Sequence, residues 1–579
     1  MSLRQRSYEV LPALSVRKAE LRRSLRLVTA AWGLGIIWMT CISGSWMNTF
    51  RRMLGFDDFD FGLMQALPFV ATFWNLASTI LIERTGLRKY LFISCMVVSR
   101  ALWLVVAVIL VVVPQGPIAV WTVQIVLLIC WSLSALGMPA WFSWMGDLIP
   151  RRIRGRYLAT RQRVTRLLQF PIAIGLAVFL DRVIDDALPF TPEAQPALMW
   201  ALFAVFIAAA VFGTADILMF LRLREVAPTT PAEPRRPAVN ISVAPSSLPA
   251  VAGAISYAAR YVVAAVNELL VTPLRDRVFR RYVLYGATAM FAMAVGGPFY
   301  IRNMRENLGF SHLAINVMFM LLGPLVSILA IKKWGRLIDH WGRRPMLMVA
   351  TTLAVFGVAP YFFASKYTPN PQFVSDAVNG VAGAAAGGLS RLAAGLGASV
   401  DWSQWQLIPP GAPVGAWLIC STTIFSGFVG WAGVMLGQQG IVLGFSDGPG
   451  RSKYVAAYSV LTSLGGVLGG VVGGLVAYGI YSASWYRPLR FGAFEWNHWH
   501  ATFLLSMLAR MLAVYWLIDM PDPGARRARD MVRTIGIEMY NLTEARLFYP
   551  WRNFFRVRRE RRRQRSDLRG PPDSPSATR

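Results

Sequence analysis

The sequence predicts an all-α integral membrane protein with twelve transmembrane helices in two six-helix, pseudo-symmetric bundles. Three observations carry that prediction. The chain is 55% hydrophobic over 579 residues yet has a net charge of +29, and its mean hydropathy is +0.45. Its apolar residues fall in blocks of roughly 20 or more, the length that crosses about 30 Å of hydrocarbon. Its Lys and Arg are placed asymmetrically between those blocks.

The twelve blocks are 26–49, 61–82, 89–113, 117–146, 160–181, 197–221, 282–301, 312–333, 346–365, 414–442, 455–481 and 499–520. Backbone polar groups inside a bilayer must be satisfied within the segment, so such blocks are read as helices. With the N-terminus inside, most of the 59 Lys and Arg fall in alternate loops and the two tails. That is the positive-inside pattern, and it places both termini in the cytoplasm, of a bacterial inner membrane. The first block follows a basic stretch but lacks a small-residue cleavage site, so it reads as an uncleaved span. The four Cys (41, 95, 130, 420) all fall in blocks without CxxC spacing and read as small core residues. No metal centre and no cofactor are expected.

The chain divides into a cytoplasmic N-tail (1–25), a first bundle (26–225), a cytoplasmic linker with an amphipathic segment (226–281), a second bundle (282–520) with an outside insertion (366–413), and a basic C-tail (521–579). The linker is rich in Pro, Ala, Ser and Thr. The insertion is Gly/Ala-rich over 376–399 and is expected to form a surface helix. The C-tail contains "FYPWRNFF" and "RVRRERRRQR". Basic residues beside aromatics at a membrane face suit anionic lipid headgroups; a nucleic-acid partner is not expected, and a purely topology-setting tail is the other reading. A monomer is expected. The sequons at Asn240 and Asn541 fall on the inside and are discounted.

The two halves share loop marks. "LIERTGLRK" follows the second block and "LIDHWGRRP" the eighth; Glu83 aligns with Asp339, Gly86 with Gly342 and Arg88 with Arg344. "RGRYLA" follows the fourth block and "RSKYVA" the tenth, aligning Arg154 with Arg451 and Arg156 with Lys453. Paired six-helix halves with repeated loops suit a parallel-repeat transporter.

Gly335-x-Leu337-x-Asp339-x-x-Gly342-Arg343-Arg344 resembles the signature loop of the major facilitator superfamily. In that family the fuller copy follows helix 2. Here the fuller copy follows helix 8, and the first has Thr79, Glu83 and Leu87 in place of Gly, Asp and Arg. The resemblance implies a latch on the cytoplasmic side formed by Gly335, Asp339, Gly342, Arg343 and Arg344, with Glu83, Arg84, Gly86 and Arg88 as its partner copy. Gly335 is expected to allow a close helix approach and Gly342 a tight turn. Asp147, Arg154, Arg156, Asp447 and Arg451 form a second set of charge-rich turns, whose alternative role is topology alone.

Ionisable residues inside spans are functional candidates by default. Arg100, Asp216 and Arg510 are three such residues, with bracing of a neighbouring helix the leading role for the arginines. The resemblance implies a cavity lined by helices 1, 4, 7 and 10, which here carry Trp38, Asn48, Gln124, Trp131, Tyr300, Trp431 and Gln438. Aromatics with amides suit a small organic solute. None of these four helices carries a mid-span carboxylate, so a proton carrier has no obvious seat. The expected function is secondary transport of an unidentified small organic solute by alternating access. The alternatives are a non-transporting scaffold or receptor on the same fold, and a membrane transferase. The last would need clustered acids or His, and the one acid cluster, "DDFD" at 57–60, falls outside. The protein is not expected to be an enzyme.

Overall fold

The computed structural model describes residues 18–149, 151–183, 195–223, 271–395, 408, 410–444, 451–518, 520, 522 and 528–543. Most of the linker and the end of the C-tail lie outside these residues. In the first half the helices are α1 (Lys18–Cys41), α2 (Trp46–Leu54), α3 (Asp58–Ala71), α4 (Trp74–Thr85), α5 (Arg88–Val112), α6 (Pro117–Leu148), α7 (Arg151–Val183) and α8 (Gln195–Met219). The second half holds α9 (Arg277–Asn307), α10 (His312–Trp341), α11 (Arg343–Phe363), α12 (Gln372–Gly395), α13 (Val414–Gln438), α14 (Arg451–Tyr481), α15 (Trp499–Leu517) and α16 (Ala528–Thr543). A short antiparallel hairpin, β1 (Leu489–Phe491) with β2 (Phe494–Trp496), is the one sheet among the described residues. The membrane architecture is all-α, with this hairpin set outside the spans before α15.

Ten helical stretches among the described residues are long and apolar enough to span a bilayer unaided. The other two of the twelve predicted blocks are interrupted for local reasons. The second is split into α3 and α4 at Thr72 and Phe73, with Pro68 inside α3 removing an amide donor. The fifth, α7, begins "RRIRGRYLATRQR", and its apolar part is confined to Leu167–Asp181. The first predicted block is also broken: Gly44 adopts φ +122° between α1 and α2, a conformation that suits glycine. α12 begins four residues before the predicted surface helix, at Gln372.

Large apolar side chains stay exposed along the bundle: Ile118, Trp121, Ile125 and Ile129 on α6, and Leu504, Leu508, Leu512 and Tyr515 on α15. A belt of this kind is matched by hydrocarbon rather than water. One face of the molecule carries the signature loops and the other arginine-rich turns; we call it the basic face, and its opposite the far face.

Candidate functional site

A set of hydrogen bonds and ion pairs joins the two halves toward the far face. Its centre is Asp58, the first residue of α3, which is 4% exposed. Asp58 is placed by a capping box: Asp57 Oδ1 accepts from the Asp60 amide at 2.8 Å and the Asp57 amide donates to Asp60 Oδ2 at 3.1 Å. From the second half, the Arg302 guanidinium donates to Asp58. Trp499 Nε1 donates to Asp58 Oδ1 at 2.9 Å, and His498 Nε2 lies 3.0 Å from Asp58 Oδ2. Arg302 is also 4% exposed and donates from Nε to Glu306 at 3.0 Å. Glu306 in turn pairs with Arg52 of the first half at 3.3 Å. Phe61 lies under the Arg302 guanidinium at 4.4 Å.

Asp58 sits at the far rim, before the membrane-spanning part of α3. Burial opposes its charge. The bond with His498, the charge of Arg302 and the Trp499 donor outweigh burial, and hold its carboxyl below the usual carboxylate range.

A second contact ties the start of α10 to the first half. Asp181, near the end of α7, accepts from the amides of His312 and Leu313, each at 2.8 Å. Ser311 caps the same helix through the Ala314 amide at 3.1 Å. A carboxylate at a helix N-terminus contributes about 0.3–1 kcal/mol, and here it comes from the opposite half. Ser45 Oγ lies 2.6 Å from His312 Nδ1 and accepts from Asn316 Nδ2 at 3.0 Å. His312 is fully buried.

Between these polar groups the halves touch backbone to backbone. A Cβ on Gly470 of α14 would lie 2.7 Å from the Gly62 carbonyl oxygen of α3, and one on Gly62 would lie 2.5 Å from the Gly470 carbonyl. Gly474 faces the backbone of Phe59 and Gly62 in the same way, while Gly466 is covered by the Phe69 ring. The interleaved set, Gly465, Gly469 and Gly473, faces the backbone of Ala287, Phe291 and Val295 on α9. Small residues at this spacing let membrane helices approach closely.

The predicted basic-face residues are placed as follows. Gly86 and Gly342 each end a helix at positive φ, +66° and +96°, and each donates to the carbonyl four residues back, at 2.9 Å. The hydrogen bond and the positive φ are shared, but ψ is 2° at Gly86 and 169° at Gly342, so the two chains leave their helices in different directions. Arg88 donates to Asp147 at 2.6 Å and to Ser143 at 3.1 Å, joining α5 to the end of α6. Arg344 donates from its amide to Asp522 at 2.8 Å and from its guanidinium to the Ile518 carbonyl, joining α11 to the end of α15. Each of these contacts lies within one half. Asp339 and Arg343 are exposed, and Asp339 has no ion pair among the described residues. The close approach expected at Gly335 is absent: a Cβ there would meet open space, although Trp334 and Trp341 on the same stretch are buried. The side chains of Glu83, Arg84, Arg154, Arg156 and Arg451, and all of Asp447, lie outside the described residues.

The predicted cavity residues do not form one group. Trp38 points into the first bundle, under the Arg100 guanidinium and against Gly213, because α1 packs on α5 and α8 through that face. Trp131 packs against the first core, and Trp431 against a core of the second half. Gln124 Nε2 donates to Asp60 at 3.1 Å. Asn48 is buried. Tyr300 stacks on Tyr361 and Phe503 at 4.6 and 4.7 Å and donates to Ser506 at 3.3 Å. The Gln438 carbonyl accepts from Tyr282 at 2.7 Å, while its amide nitrogen has no partner. Arg510 Nη1 donates to the Ala354 carbonyl at 2.8 Å, so it ties α15 to α11. Arg100 and Asp216 are both buried in the first bundle.

Two bundles joined across one face carry the paired loop marks on which the resemblance to the major facilitator superfamily rests. No family model matches the chain, and no curated protein matches it in sequence. Solved structures match it in fold. A D-xylose-proton symporter superposes with a TM-score of 0.51 at 13% identity, over 87% of this chain and 99% of its own. A point mutant of the nucleoside transporter NupG gives 0.50 at 10% identity, over 86% and 99%. A POT family transporter in complex with a thioalcohol-conjugated peptide gives 0.50 at 11%, over 85% and 96%. Identities this low establish a shared fold.

Proposed function

We propose that the chain is a secondary transporter that moves a small organic solute across a membrane by alternating access. The observation that carries this reading is the one-sided join between the halves. Asp58, Arg302, His498 and Trp499, the Asp181–α10 cap and the glycine contact all hold the far face shut, while the described basic-face pairs stay within one half. Such a molecule is set to receive or release solute at its basic face. The arginine-rich turns there support a cytoplasmic basic face in a bacterial inner membrane, cytoplasmic termini, and a C-tail against anionic headgroups. A monomer completes the reading.

In the opposite conformation, the basic face closes. Asp339, Arg343 and the partner loop around Glu83 and Arg88 are then the groups available to latch it. Asp339 is exposed here because the face it would close is open. Asp339→Asn is expected to abolish solute flux in proteoliposomes, measured against a solute panel with and without a pH gradient, while leaving insertion and thermal stability unchanged. Normal flux through the variant removes the latch role. Absence of flux for every solute in the native protein favours a scaffold.

A further inference from the structure

Between α11 and α13 a groove of about 470 Å³ opens on the outside of the second bundle. Leu353, Phe356 and Phe363 of α11 form one wall, and Thr422, Phe425 and Ser426 of α13 the other. Phe356, Phe363 and Phe425 are each more than half exposed, so the groove is entered directly from the side of the bundle. The two helices touch at Gly357 and Gly427, where a Cβ on Gly357 would lie 2.4 Å from the Gly427 Cα. With no side chain at that contact, the Phe356 and Phe425 rings beside it stand out as walls. α13 is π-helical from Ile424 to Phe428, a wide turn that is frequent at functional sites.

The groove asks for hydrocarbon. Thr422 Oγ1 donates to the Ile419 carbonyl at 2.7 Å and Ser426 Oγ to the Thr422 carbonyl at 3.5 Å. Both hydroxyls are thus satisfied by their own helix, and the remaining walls are apolar. From Leu353 to Phe363 the groove follows α11 for about 15 Å at the helical rise, half of a hydrocarbon core of about 30 Å. α11 runs from the signature loop toward the far rim, so that half is the far leaflet.

At the far rim the groove meets two cations. Phe363 packs on Phe494 of the hairpin, ring centres 6.0 Å apart. Lys366 and Arg490 approach Glu495 Oε2 at 3.4 and 3.7 Å and the Tyr367 ring at 5.3 and 5.0 Å. That carboxylate oxygen is buried and accepts no hydrogen bond, while both cations are exposed. The strand register puts Leu489, Phe491, Phe494 and Trp496 on one face of the hairpin and Arg490 with Glu495 on the other. Aromatic groups beside cations at a span end match the headgroup level of a bilayer.

We propose that this groove binds one phospholipid of the far leaflet, with an acyl chain between α11 and α13 and an anionic, phosphatidylglycerol-like headgroup at Lys366 and Arg490. The two cations share one carboxylate, and a single phosphodiester balances the charge that remains. A zwitterionic headgroup would bring a further cation beside them. The site needs neither a solute nor flux, so it stands apart from the transporter reading.

The test uses the full-length protein in phosphatidylcholine nanodiscs that contain a small fraction of phosphatidylglycerol bearing a mid-chain diazirine. After irradiation, adducts are mapped by peptide mass spectrometry. Labelling of α11 and α13 should exceed that of α6 and α15, whose exposed apolar faces are the controls, and should fall when unlabelled phosphatidylglycerol competes. A diazirine-bearing phosphatidylcholine should show neither effect. Lys366→Gln and Arg490→Gln should each lower the labelling by about fivefold. Thr422→Trp should fill the groove and remove the excess; Thr422 is exposed, so the thermal midpoint should not move. Even labelling of all four helices overturns the site. So does an excess that survives either Thr422→Trp or the double Lys366→Gln, Arg490→Gln variant. A native dimer that Thr422→Trp splits into monomers would make a second copy the occupant and would overturn it as well.

Discussion

Asp58→Asn is expected to open the far face. The substitution keeps the shape of the side chain but removes the one carboxylate that Arg302 meets from the other half among the described residues. Arg302 remains buried and retains Glu306. Breaking one partner out of a buried pair costs about 3–5 kcal/mol, and the surviving Glu306 contact puts this case near the lower end. A change of about 3 kcal/mol moves the closed-to-open ratio more than a hundredfold. The measurement is the rate at which a membrane-impermeant maleimide, added from the far side, labels Gln65→Cys. Gln65 lies at the interface opposite Gly297. The four native cysteines are all buried, so background labelling is low. Labelling that stays slow in folded Asp58→Asn protein refutes the seal.

The same assay carries a pH prediction. The Asp58 carboxyl is held below its ordinary value. Its contribution is therefore fully present above the unfolded carboxylate value of about 3.9 and is lost as pH falls through the lower, folded value. The native seal should hold across the neutral range and into mild acid, and loosen only in strong acid. Loosening on the way from neutral pH to mild acid would mean that another group controls it.

Gly470→Leu is the second large effect. Even a Cβ at this position lies 2.7 Å from the Gly62 oxygen and 2.9 Å from the Ala66 nitrogen. Those neighbours are backbone and cannot turn aside. Overpacking a core costs about 1–3 kcal/mol where side chains can adjust; here α3 as a whole must retreat, which separates the halves. Far-side labelling should rise, and flux should be lost because the far face no longer shuts. Gly479→Leu on the same helix is the control, since a Cβ there meets nothing within 4 Å. If the two variants behave alike, helix propensity rather than the contact explains the result. With Asp58→Asn added, the effects should not sum, because both open the same face.

The features legible in the sequence were the local ones. Span length depends on consecutive apolar residues, so ten of the twelve blocks could be read directly. Gly86 and Gly342 were legible for the same reason: a tight turn between helices needs a positive φ, and both loops place a glycine there. The seal was not legible. Asp58 belongs to an acid cluster that reads as a solvated outside loop, and its partners lie 244 and 440 residues away. The signals present were aromatic and polar density in "WNHWH" (496–500) and glycine pairs repeating every four residues in "GGVLGGVVGG" (465–474). Neither says what it meets. The loops around Asp339 were legible as a motif, but their pairing depends on which face is shut, and conformation is a property of the whole molecule. Trp38 was misplaced because helix number alone does not fix which way a side chain turns.

The two glycine rows of α14 differ in their duties. One row beds the helix on α9 of its own half and keeps that contact whichever face is open. The other meets α3 of the opposite half, and the proposed alternating access requires that contact to part and rejoin. Side chains at such a joint would interlock, and each would need a new rotamer before the surfaces could move. Where Gly470 and Gly474 meet α3 the contact is backbone on backbone, with no rotamers to reset; the Phe69 ring over Gly466 is the exception. α14 is therefore built as a dry bearing: fixed along one side, smooth along the other, and with little friction to slow the turnover of the machine.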